Sequence, residues 1–179
     1  MRTRADIEER VANLLERHSV KSIPIPIQEL AVAEGLPIVE QSLTSDVSGA
    51  LIRSHGISAI AVNGTHSSNR RRFTIAHELG HHLLGHKGEE DHVDWEFTII
   101  RRDGRSSEAS VTEEIEANSF AANLLMPKRF IVEDLEFQLA SRSDGELPRD
   151  QLTALARKYQ VSETAMTFRL INLGLISPI

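Results

Sequence analysis

Apolar residues at Ile7, Val11, Leu14 and Leu15 recur at helical spacing, which predicts an amphipathic helix over 5–17 with one face buried. Pro24 and Pro26 interrupt that pattern with an extended entry. A second, short helix follows, with Ile27, Leu30, Ala31 and Ala33 as its apolar stripe and Gly35 as its stop. The period then changes. "LPIVEQ", "VSGALIRS" and "SAIAVNG" carry β-branched residues between turn residues, so three short strands are expected, the last ending at Asn63 and Gly64. Helical spacing returns from position 69 or 70 to about position 84, with Ile75, Ala76, Leu79 and Leu83 on one face. Ser67, Ser68 and Asn69 are its candidate caps.

The interval 87–109 is polar and acidic, but Trp95, Phe97 and Ile99 alternate with polar neighbours before a turn at Asp103 and Gly104, as expected of a loop enclosing one short strand. A third long helix is predicted over 111–125, and a fourth starts near Pro127, whose ring suits a first helical turn. After "SRSDGELP" comes a tail in which Leu152, Leu155 and Ala156 precede a helix capped by Ser162 and closed by Gly174, a helix-turn-helix-like arrangement. The fold class expected from these elements is α+β: a small, mostly antiparallel sheet packed by helices, with a helical tail. The expected division is 1–140 for the main domain and 141–179 for a tail packed on it.

Composition narrows the chemistry. A chain of 179 residues that is 40% hydrophobic can fill one core. With no cysteine, any metal must be held by His, Asp or Glu, and the expected compartment is the cytoplasm. The opening "MRTRADIEERVANLLERH" carries charge where a signal peptide would need an apolar core, and no run approaches the roughly 20 apolar residues that span a bilayer. A net charge of -6 argues against direct DNA binding by the molecule as a whole.

"TIAHELGHHLLGH" is the stretch with chemistry in it. His77, Glu78 and His81 form H-E-x-x-H; residues four apart on an α-helix differ by about 40° in azimuth and about 6 Å in rise, so both imidazoles can reach one ion. Nitrogen ligands suit Zn²⁺, with Mn²⁺ as a second possibility. A bound ion acidifies water and polarises a carbonyl. Glu78, swung off the ligand face, is then the candidate general base that takes the water's proton and passes it to a leaving amine. Such a motif arises by chance in roughly a few per cent of chains with this much histidine, so the context has to decide. Gly80 is one piece of context: it costs a helix about 1 kcal/mol relative to Ala, with no local benefit unless another element packs closely there.

A catalytic zinc takes three protein ligands plus water. An H-x-x-G-x-x-H extension is absent, since Leu84 and Lys87 stand where Gly and His would be needed. "SVTEEIEANSFAANLLMP" offers three glutamates instead. Ser110 and Glu113 fit a capping box, which would occupy Glu113. Glu114 and Asn118 share one helical face, so Glu114 is the candidate ligand and Asn118 the candidate support for a histidine's other nitrogen. Glu116 lies about 160° round from Asn118 and is expected to face solvent.

"RRFTIAHELGHHLLGH" followed by "EIEANSFAANLLMP" and the tail "LARKYQVSETAMTFRLINLGLI" resembles the ImmA/IrrE family of gluzincin-like bacterial metallopeptidases, over most of the chain. The resemblance implies a cytoplasmic zinc-dependent endopeptidase, with His77, His81 and Glu114 as ligands and Glu78 as the catalytic glutamate. It also implies a protein substrate, a DNA-binding repressor of the helix-turn-helix type, cut to derepress mobile-element or stress-response genes. Wider gluzincins often carry Asp where Asn118 stands. The competing class is a metal-holding antirepressor that sequesters its repressor without cutting it.

Other features have plainer expectations. Arg70, Arg71 and Arg72 open the histidine helix at the end its dipole makes unfavourable for cations; they suit either an acidic substrate segment or a solvated face paired with carboxylates. His82 and His86 are spare, and spacing alone does not say whether one of them or Tyr159, the single tyrosine, reaches the site. "GEEDHVDWE" reads as a solvated run or a lid. An open strand edge in the region 47–62 could hold an extended peptide by adding it as a strand.

Overall fold

The computed structural model describes residues 2–54, 57–86, 108–140 and 147–177. Helix α1 (Arg4–Arg17) opens on a reciprocal capping box between Thr3 and Asp6 and buries Ile7, Val11, Leu14 and Leu15, the stripe its sequence displays. Helix α2 (Ile27–Ala33) buries Ile27, Leu30 and Ala31 and is followed by Gly35 at φ +84°, where the chain turns away.

Strands β1 (Ile38–Gln41), β2 (Gly49–Ser54) and β3 (Ile57–Asn63) form one sheet in the order β1-β3-β2. The β2–β3 pair is antiparallel with Ala50 opposite Ala61, whereas β1 runs parallel to β3 with Ile38 opposite Ile60. The sheet is therefore mixed, one pair of each kind. The expectation of mostly antiparallel pairing assumed that consecutive strands are neighbours; β1 instead crosses to the far side of β3. Asn63, at the end of the central strand, fixes that crossing. Its fully buried amide donates to the carbonyls of Leu43, Thr44 and Val47 at 3.2, 3.1 and 2.9 Å and accepts from Thr65, tying down the β1–β2 connection. Ile60 and Val62 of β3 and Leu51 of β2 share one face of the sheet and enter the core.

Helix α3 (Ser68–Leu83) crosses the sheet, capped by Ser67, whose hydroxyl accepts from the Arg70 amide. It seats tightly on β2, since a Cβ at Gly49 would run into the Thr74 side chain and the Ala61 carbonyl. Helix α4 (Glu108–Leu125) lies against α3, and α5 (Lys128–Ala140) follows after Pro127. The start of α4 at Glu108 puts Ser110 inside the helix and not at its cap, so the expected Ser110–Glu113 capping box is not how this helix begins.

The tail is α6 (Arg149–Tyr159) and α7 (Glu163–Asn172), with Ser162 capping α7 and Gly174 at φ +69° ending it. Tyr159, Met166 and Leu170 belong to the same buried cluster as α1, α3 and α4. Each fully buried side chain of that size contributes about 1.5–3 kcal/mol through removal from water. The Asn69 amide, in the first turn of α3, donates to the Val161 carbonyl at 3.0 Å and fastens the α6–α7 turn to the start of the histidine helix. Among the described residues no helix is long and apolar enough to cross a membrane. The strand expected around Trp95 to Ile99, the turn at Asp103 and Gly104, and the acidic run with His92 lie outside the described residues.

Candidate metal centre

Two helices build the site. On α3, His77 and His81 stand one turn apart, His77 buried and His81 half-buried, and on α4 Glu114 reaches across to both. The helices approach this closely because of Gly80: a Cβ there would lie 3.0–3.2 Å from Cδ1, Cβ and Cγ of Phe120 on α4. The close neighbour that would justify a mid-helix glycine is thus a ring of the helix that supplies the third ligand candidate.

The three side chains converge. His77 Nε2 and His81 Nε2 are 3.0 Å apart; Glu114 Oε2 lies 3.4 Å from His77 Nε2, and Glu114 Oε1 lies 3.2 Å from His81 Nε2. A tetrahedral ion with bonds of about 2.0–2.1 Å needs its ligand atoms about 3.3–3.4 Å apart. Each histidine nitrogen has a different oxygen of Glu114 near that distance, and one donor atom from each residue lies within 4.8 Å of the others, so the group can close on such an ion. Among the described residues it is the one group of three or more His, Asp or Glu side chains that could hold a metal ion. His77 Nδ1 lies 3.0 Å from Asn118 Oδ1. An amide oxygen only accepts, so Nδ1 carries the proton in this contact and Nε2 turns its lone pair to the triangle. Glu78 follows His77 on α3 and is half-buried.

Two residues that spacing alone passed over sit directly behind His81. Helix α3 ends in a Schellman turn: Gly85 at φ +67° donates to the His82 carbonyl at 3.1 Å, and the His86 amide donates to the His81 carbonyl at 3.0 Å. That turn folds the residue after the glycine back over the last helical turn. His86 is consequently buried, its Nδ1 3.0 Å from His81 Nδ1 and its ring edge-on to that of His81. Gly85 was the available signal. His86 Nε2 lies 3.1 Å from Glu116 Oε2.

Glu116 does not face solvent as expected; it is buried at 3% exposure. The azimuthal reading treated α4 as having one packed face, but α1 and the segment before it cover a second. The Arg2 amide donates to Glu116 Oε1 at 2.6 Å, the Arg2 guanidinium donates to Oε2 at 2.6 Å, and the same guanidinium also bonds the Leu84 carbonyl. Burial works against ionisation of Glu116, but the hydrogen bonds from Arg2 and His86 outweigh it and bring the carboxyl down to about 2. Burial pushes the His86 imidazole below its ordinary value, so it stays neutral at neutral pH.

The remaining candidates have structural places. Tyr159 is fully buried, its hydroxyl donating to Asp134 Oδ2 at 2.9 Å, and burial followed by the Asp134 contact pushes its phenol up. Arg70 donates to Ser48 Oγ at 2.8 Å, Arg71 to the Gly64 carbonyl at 3.0 Å and Arg72 to the Ile25 carbonyl at 2.8 Å. Arg70 is exposed and Arg71 also lies 3.9 Å from the Glu40 carboxylate, as a solvated face paired with carboxylates would have it, while the three hydrogen bonds tie α3 to three separate segments. Among the described residues β2 is an edge strand, and Arg53 on it donates to the His86 carbonyl at 3.2 Å.

The family profile described as the IrrE N-terminal-like domain, peptidase M78, matches residues 33–170, which include both helices of the site. No curated protein matches the chain. Among solved structures, the chain is similar in fold to a Mycobacterium tuberculosis transcriptional regulator, at a TM-score of 0.64 and 20% identity over 93% of this chain. The match takes in 46% of that regulator, so the chain spans about half its length.

Proposed function

The chain belongs to the IrrE N-terminal-like family of M78 peptidases, and on that premise we propose that it is a zinc-dependent endopeptidase acting in the cytoplasm on a specific DNA-binding repressor. The observation that carries the reading is the convergence of His77, His81 and Glu114, each offering one donor atom within 4.8 Å of the others. When bound, the ion supplies Lewis acidity towards a water and a peptide carbonyl. His77, His81 and Glu114 would hold it, and Asn118 keeps the His77 lone pair pointed inward. Glu78, next to His77 on α3, takes a proton from the attacking water and returns it to the departing amine nitrogen, so the peptide C–N bond breaks with no net consumption of acid or base. Edge strand β2 would receive the substrate as an added extended strand.

A repressor as substrate is supported by the family and by the fold shared with a transcriptional regulator. Direct DNA binding by the tail has less support: Arg169 is buried and donates to the Met126 carbonyl, and Lys158 is paired with Asp134. Neither Arg169 nor Lys158 is therefore free to neutralise a phosphate without giving up a partner within the protein.

The deciding experiment is Glu78→Gln, with metal content, melting temperature and cleavage of purified candidate repressors measured together. A peptidase keeps its metal and fold but loses at least about a hundredfold in cleavage rate, the usual scale for removing a general base. A variant that relieves repression as well as wild type would instead establish the sequestering antirepressor.

A further inference from the structure

Resting on that metal-centre reading, we propose that His86, oriented by Glu116 and Arg2, is a positioning residue that fixes His81 as its Nδ1–H tautomer and thereby aims the His81 Nε2 lone pair at the ion site. A carboxylate can only accept, so the 3.1 Å contact between His86 Nε2 and Glu116 Oε2 carries its proton on His86. A neutral imidazole has one N–H, so His86 Nδ1 is then an acceptor. The 3.0 Å contact between His86 Nδ1 and His81 Nδ1 must in turn carry its proton on His81. A neutral His81 then has no hydrogen on Nε2, so its 3.0 Å contact with His77 Nε2 brings two lone pairs together beside the Glu114 carboxylate, an arrangement that a bound cation resolves.

One contact runs the other way: an Arg2 guanidinium nitrogen stands 3.4 Å from His86 Nε2. The same nitrogen, which carries two hydrogens, is 2.6 Å from Glu116 Oε2; were its second hydrogen given to a bare His86 Nε2, the carboxylate oxygen would be left 3.1 Å from a lone pair, so His86 Nε2 keeps its own proton. Arg2 therefore fixes the carboxylate, and the carboxylate fixes His86. The two ligand histidines thus receive the same service from different elements, His77 from an amide on its partner helix and His81 from a histidine folded back by the turn that ends its own helix.

The relay has a spectroscopic signature independent of activity. In zinc-free protein, long-range proton–nitrogen correlation spectra should show His81 protonated at Nδ1. His86→Leu should abolish that signature and weaken Zn²⁺, titrated alone against a chromophoric chelator, by about 10–100-fold, the usual effect of losing such a partner. His86→Gln should largely restore both, because its amide can accept from His81 and donate to Glu116. Glu116→Gln, which no longer dictates the polarity of the chain, should give mixed His81 tautomers in a folded protein. Folded His86→Leu with an unchanged His81 tautomer and wild-type zinc affinity overturns the relay. Wild type that shows the tautomer, loses it in His86→Leu, yet binds no zinc upholds the relay and removes the metal-centre reading on which its purpose rests.

Discussion

Asn63 is fully buried at the end of the central strand, and its one amide group meets three carbonyls and the Thr65 amide and hydroxyl. Removing it leaves those groups stranded, and each buried unsatisfied polar group costs about 1–3 kcal/mol. Asn63→Ala should lower stability by about 2–3 kcal/mol in urea unfolding; a loss under about 1 kcal/mol would mean that water replaces the amide at little cost. Nothing in "VNGT" announces this role beyond a turn. The ligand residues were more legible, because helical periodicity alone aligns His77 with His81 and Glu114 with Asn118. His86 and Glu116 were not. Their partners come from a turn and from the segment before α1, and no period within one helix encodes a contact between residues 2 and 116.

At the scale of elements, the helices came out of the sequence because their signals are local: Thr3 and Asp6, Ser67, Ser162, Gly35 and Gly174 each mark an end by a bond or dihedral made within a few residues. Sheet order was not local, and β1 could be placed beside β3 only by knowing what holds 43–47. The α3–α4 contact is the element pair on which the site depends. Gly80→Ala would gain about 1 kcal/mol of helix propensity, yet its methyl would press into Phe120, and overpacking of this kind costs about 1–3 kcal/mol. A lower melting temperature is expected for Gly80→Ala, with recovery when Phe120→Leu is added. If Gly80→Ala alone melts higher than wild type, α4 yields more readily than its packing suggests.

For the whole molecule, one hydrophobic cluster joins the first helix, the sheet, the two site helices and the tail, so the triangle of donors is set by the packing of nearly every element. The separation of α3 and α4 acts as a gauge of ionic radius. With Gly80 in place, one donor atom from each ligand residue lies within 4.8 Å of the others, a span that a small cation can draw together. A methyl group at position 80 would wedge the helices apart, lengthen the span from the histidines to Glu114 and leave the His77–His81 spacing on α3 unchanged. The variant should therefore lose affinity for Zn²⁺ faster than for the larger Cd²⁺, and the ratio of the two dissociation constants, measured by competition, should move towards cadmium. An unchanged ratio would show that Glu114 can follow the ion on its own side-chain torsions. In that case the glycine sets how tightly the helices pack and leaves the choice of metal to the ligands.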